Sequence, residues 1–142
     1  MTDPSQNKAL ARRYVELVNQ SDGDGVAELF TEDGAVWLPS RTLLPPGTEG
    51  RENVCALINS LGDWFPETGL NMIIDEMTAE EDRVSVVAHS DAVHLSGRPY
   101  QNRYHLLLRF VDGKISASYE YMDSLLVTQV LLNGAMPPPP GE

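Results

Sequence analysis

Apolar positions recur at helical spacing near the start of the chain. Leu10, Tyr14, Leu17 and Val18 share one face and predict an amphipathic helix over residues ~5–19. Asp22-Gly23-Asp24-Gly25 breaks it. Val26, Leu29 and Phe30 predict a short second helix, capped by Asp22 or Asp24 and ended by Asp33-Gly34. Ala35-Val36-Trp37-Leu38 predicts a strand stopped by Pro39, and residues 40–49, with Pro45-Pro46-Gly47, predict a loop. Val54, Leu57, Ile58 and Leu61 predict a third helix closed by Gly62.

The period then changes to that of strands. Asn71 to Thr78 predicts one strand, turning at Glu80-Glu81-Asp82. Val84 to Leu95 predicts a longer one, ended by Ser96-Gly97-Arg98-Pro99, and Tyr100 to Phe110 the next. Asp112-Gly113 predicts a tight hairpin into Ile115 to Met122. Leu125, Leu126, Val130 and Leu131 predict a last helix ending at Asn133-Gly134, with Asp123 as its cap. Helices followed by a run of strands predict an α+β fold: three helices from the N-terminal half packed on one face of a curved antiparallel sheet. A ligand pocket is expected between the two layers.

Composition narrows the function classes. At 142 residues the chain predicts one domain, residues 1–134, followed by a proline-rich disordered tail, 135–142. The formal charge of −11 opposes phosphate backbones and anionic membranes, so nucleic-acid and membrane partners are not expected. The single cysteine, Cys55, forms no intrachain disulfide. Absence of an apolar leader or membrane-length run predicts a cytoplasmic location. His89, His94 and His105 lack metal-ligand spacing and Gly-Lys-Ser/Thr is missing, so no metal or cofactor is expected.

Strand alternation groups the candidate chemistry. His89 and Asp91 are two apart; Ser118, Glu120 and Met122 share one face; Asn102 and Tyr104 share another. If those faces turn inward, a cavity holds an imidazole, two carboxyls, an amide and a phenol. Carboxyls crowded in a poorly solvated cavity divide into an acid and a base. The alternative places these groups on the solvated face and leaves Tyr14, Trp37, Trp64 and Phe65 as core.

Several motifs carry a family resemblance. Arg13-Tyr14-Val15, Asn19, Asp22, Asp24-Gly25, Leu29-Phe30, Asp33, Val36 and Pro39 resemble the opening of bacterial ketosteroid isomerases. Gly97-Arg98-Pro99-Tyr100, Asp112-Gly113-Lys114-Ile115 and Glu120-Tyr121-Met122-Asp123 resemble the end of SnoaL-like proteins and limonene-epoxide hydrolases. The resemblance covers roughly residues 8–132 and implies the NTF2-like fold, a cone-shaped α+β barrel whose chemistry differs from member to member. In the steroid isomerase pattern the oxyanion tyrosine falls on Tyr14, but the base falls on Leu38 and the acid on Leu106. Leucine transfers no proton, so steroid isomerisation by that constellation is excluded. In the epoxide hydrolase pattern the acid falls on Asp91, the arginine on His89 and the base on Glu120. The water-holding tyrosine and asparagine fall near Ser40-Arg41-Thr42 and are missing.

The resulting expectation is a cofactor-free acid–base enzyme for an apolar polycyclic, polyketide-like or isoprenoid-like molecule. Isomerisation, cyclisation and epoxide hydrolysis are the reaction types implied. Glu120 would be the base, Asp91 the acid and His89 the orienting group. Tyr14, Asn102, Tyr104, Trp37 and Met122 would contact the substrate. The alternative is a non-catalytic small-molecule-binding or dimerisation module of the same fold. The resemblance also implies a homodimer through the outer sheet face, with His105, Leu107 and Arg109 as candidates there.

Overall fold

The computed structural model describes residues 3–141. Met1, Thr2 and Glu142, the outer ends of the expected domain and tail, lie outside them. Helix α1, Pro4–Asn19, starts where Asp3 accepts a hydrogen bond from the Ser5 amide, with proline in its first turn. Helix α2, Gly23–Leu29, is capped by Asp22, and α3 spans Arg51–Trp64. Strands β1, Phe30–Trp37, and β2, Gly47–Glu49, lie between those two helices. Strands β3, Met72–Glu80, and β4, Arg83–Ser90, follow α3. Short β5, Ala92–Val93, and β6, Pro99–Tyr100, precede β7, Arg103–Val111, and β8, Lys114–Met122. Helix α4, Ser124–Leu131, is capped by the Asp123 carboxylate on the Leu125 and Leu126 amides.

The layered α+β arrangement follows the chain pattern, with several corrections. Asp33-Gly34 does not end α2. The helix stops at Leu29, and Gly34 sits inside β1 at a register shift between Phe30 and Ala35. A Cβ on Gly34 would press on the Phe30 ring and the Ile115 carbonyl, so this bulge takes the residue without one. Part of the predicted 40–49 loop forms β2, which pairs with β1. Gly62 lies within α3 and does not close it. The long strand predicted for Val84 to Leu95 breaks at Asp91, where β4 ends and β5 pairs with β6 in a separate two-stranded sheet. Asp112 and Gly113 both take positive φ and make the β7–β8 hairpin, as Asp-Gly predicts.

The main sheet runs β2-β1-β8-β7-β4-β3. Its pairs are antiparallel except β1 with β8, which are parallel. Register shifts in β1, β3 and at Arg109/Phe110 bend the strands, and the sheet curves without closing into a barrel. Alternation decides its faces. Val84, Val86, Ala88 and Ser90 of β4, and Tyr104, Leu106, Leu108 and Phe110 of β7, are buried toward the helices. Arg103, His105, Leu107 and Arg109 point to the other face. The tail residues 135–141 have no regular structure, and the Pro138 carbonyl accepts a 2.7 Å bond from Arg41 Nη2.

Candidate functional site

A cavity of about 130 Å³ lies between the helices and the inner sheet face. Helix α1 contributes Tyr14, Val15 and Val18; α3 contributes Leu57, Ile58, Leu61 and Trp64. Their three- and four-residue spacings turn one stripe of each helix inward. The sheet contributes Val36, Tyr104, Leu106, Glu120 and Met122. Glu120 lies opposite Leu106 on β7, two residues from Ser118 and two from Met122. Alternation along β8 therefore aims its carboxyl at the cavity rather than at water.

Two hydroxyls hold that carboxyl. The Tyr14 hydroxyl donates to Glu120 Oε2 at 2.9 Å, and Ser118 Oγ donates to the same oxygen at 3.0 Å. Oε1 accepts no hydrogen bond from the described residues. Burial pushes the Glu120 carboxyl above the ordinary glutamate range, and the bonds from Tyr14 and Ser118 pull it partly back. Burial, with the nearby Glu120 charge, drives the Tyr14 phenol well above its ordinary value. The Tyr104 phenol is also driven well up and the Tyr100 phenol up, by burial first. The phenols are therefore donors at neutral pH, while the carboxyl can lose and regain a proton. Oε1 is the oxygen available to a ligand.

The other expected site residues divide sharply. Tyr104 and Met122 line the cavity with Tyr14 and Glu120. His89 does not, because it alternates outward between inward-facing Ala88 and Ser90. Its Nδ1 lies 2.8 Å from Asp75 Oδ2, and both side chains are about half exposed (40% and 46%). Asp91 follows the end of β4, is exposed, and accepts a 3.2 Å bond from Gln101 Nε2. The expected convergence of His89, Asp91 and Glu120 therefore does not occur.

Asn102 is buried beside the cavity lining rather than in it. Its amide nitrogen donates to the Tyr100 hydroxyl (2.9 Å) and the Asp123 carbonyl (3.1 Å). Its amide oxygen accepts from the Arg103 (2.7 Å) and Asp123 (3.0 Å) backbone amides. No hydrogen-bonding capacity is left for a ligand. Trp37 is also outside the lining: it alternates away from Val36, and its ring covers Gly47 of β2.

Leu38 and Leu106, the positions where the steroid isomerase pattern has its base and acid, both line the cavity. Ser118 and Tyr100 were not expected in the site. Ser118 was detectable as the residue two before Glu120 on the same face. Tyr100 was not, since it follows a turn in a two-residue strand. Among the described residues no group of three or more His, Cys, Asp or Glu side chains is placed to hold a metal ion. Among the described residues no helix is long and apolar enough to cross a membrane.

Comparison with solved structures places this architecture among known proteins. A candidate isomerase from Bacillus subtilis superposes with a TM-score of 0.75 at 18% identity, covering 96% of this chain and 99% of that one. A candidate SnoaL-like polyketide cyclase from Jannaschia sp. CCS1 gives 0.72 at 22% identity, covering 96% and 99%. A ketosteroid isomerase-like protein from Catenulispora acidiphila, in complex with trimethylamine, gives 0.73 at 17% identity, covering 90% and 93%. These likenesses establish the NTF2-like fold. No curated protein matches the chain in sequence. Residues 11–118 match the SnoaL-like domain, so the chain belongs to the SnoaL-like family.

Proposed function

We propose that the chain is an acid–base enzyme that moves a proton on a small, largely apolar molecule held in this cavity. Isomerisation and cyclisation are the reaction types its structural neighbours suggest; epoxide opening would have to rest on Glu120 alone, without Asp91 and His89. The observation that carries the reading is the Glu120 carboxyl: it faces an apolar cavity, is held through Oε2, and is raised toward neutrality. Glu120 serves as base when ionised and as acid when protonated. Tyr14 positions it, and Met122 and Tyr104 border the substrate. Asp91 and His89 are left out because their side chains lie elsewhere. Steroid isomerisation by the usual set is left out because Leu38 and Leu106 carry no proton.

The test is deuterium exchange. Ring ketones incubated with the protein in D₂O are followed by NMR for loss of their α-protons. Exchange catalysed by the wild type and reduced at least about 100-fold by Glu120→Gln supports the reading, that range being typical of general base catalysis. Exchange unchanged by Glu120→Gln overturns it.

A second reading, a binding module without turnover, is favoured by one observation: among the described residues, Glu120 is the only carboxyl in the lining. Ligand binding with no exchange distinguishes it. For either reading we propose a homodimer through the outer sheet face. His105, Leu107 and Arg109 stand there beside Tyr119 and Tyr121, and Tyr121 is 48% exposed.

A further inference from the structure

Glu120 is a partly buried acid that faces the cavity with no counter-ion among the described residues. Among the described residues that line the cavity, none is Lys, Arg or His. Its two protein partners, Tyr14 and Ser118, are neutral hydroxyls, and both bond Oε2. Buried charges are normally paired, so a carboxylate here lacks the partner that would offset its desolvation. Five aromatic residues, Tyr14, Trp64, Phe65, Tyr100 and Tyr104, line the same cavity. Aromatic faces attract cations and have no such attraction for anions. The volume of about 130 Å³ sets the size. An apolar protein cavity of roughly 150 Å³ holds benzene, so one ring fits here.

We infer that the cavity binds a small organic amine as its cation, no larger than a single six-membered ring, with its ammonium group paired to Glu120 Oε1. This requires only that the cavity is a ligand site, the part of the proposed function shared by both readings. It narrows the expected polycyclic, polyketide-like or isoprenoid-like substrate to a single-ring amine, and it excludes carboxylate ligands.

The experiment is isothermal titration calorimetry on the full chain at pH 7.5 with three ring-matched probes. Cyclohexylamine is protonated there, as alkylamines with pKa about 10 are. Cyclohexanol is its neutral counterpart and cyclohexanecarboxylate its anionic one. The amine is expected to bind at least tenfold more tightly than the alcohol, and the carboxylate not to bind. Glu120→Gln should bring amine and alcohol to within about threefold of each other. Leu57→Trp, which fills the cavity from α3, should remove amine binding and so separate it from loose attraction to the acidic surface. Alcohol affinity equal to or above that of the amine in the wild type overturns the inference and leaves the acid–base reading standing. Amine binding that survives Leu57→Trp, or the failure of all three probes to bind, overturns it as well. The acid–base reading fails separately, on deuterium exchange that Glu120→Gln does not change.

Discussion

At the scale of residues, Glu120 ties the chemistry to the stability of the fold. Its carboxyl is raised by burial, so the folded chain holds that proton to higher pH than the unfolded chain does. Between the ordinary carboxylate value and the raised one, folded protein binds more protons than unfolded. Stability therefore falls as pH rises through that window and stays reduced above it. Glu120→Gln removes this cost. The variant should melt higher than wild type at pH 7, by on the order of a few degrees, with the gap closing below about pH 4. Thermal melts of both proteins across that range check it, and a variant that melts lower at pH 7 contradicts it. Tyr14→Phe deletes a bond that favours the charged carboxylate, so it should move the Glu120 titration upward, as should Ser118→Ala. Alternation in the sequence put Glu120, Ser118 and Met122 on one face. It gave no means of choosing the inner face of β4. There the small Ala88 and Ser90 turn in, and His89 turns out to Asp75, fourteen residues earlier in the chain.

At the scale of elements, the corner between β6 and β7 depends on Asn102. Four hydrogen bonds from one buried amide join Tyr100, Arg103 and Asp123, and so hold β8 and the start of α4 against β7. Asn102→Ala should cost about 2–4 kcal/mol in urea unfolding, because it deletes all four bonds and leaves the buried Tyr100 hydroxyl without its amide donor. A second close approach joins α2 to α3. A Cβ on Gly23 would collide with the Cys55 backbone carbonyl and the Asn59 side chain, which accepts the Gly23 amide at 2.8 Å. Gly23→Ala should destabilise by roughly 1–3 kcal/mol, the range of an overpacked contact, read from the same denaturation curves. Helix spacings, the caps at Asp22 and Asp123 and the Asp-Gly hairpin were legible because each is a local signal. The break at Asp91, the bulge at Gly34 and the β1–β8 parallel pair were not. All three are set by which distant strand lies alongside, and residues near in sequence do not encode that.

At the scale of the whole molecule, the curved sheet has two faces of different character. Its inner face carries the cavity, and its outer face carries Leu107, Val87, Tyr119 and Tyr121 among charged side chains. Analytical ultracentrifugation should find a dimer, and Leu107→Glu should convert it to monomer while leaving the melting transition cooperative. A wild-type monomer at tens of micromolar would remove that interface from the account. The fold was readable from the order of elements, while the ligand was not. The cavity is assembled from α1, α3 and strands far apart in the chain, and its volume exists only once they meet. The central claim is that this volume contains a desolvated, titratable Glu120. The most direct measurement is a pH titration of its side-chain carboxyl by ¹³C NMR. Its midpoint should lie above the ordinary glutamate value of 4.5; a midpoint at or below 4.5 would mean that Glu120 is not desolvated.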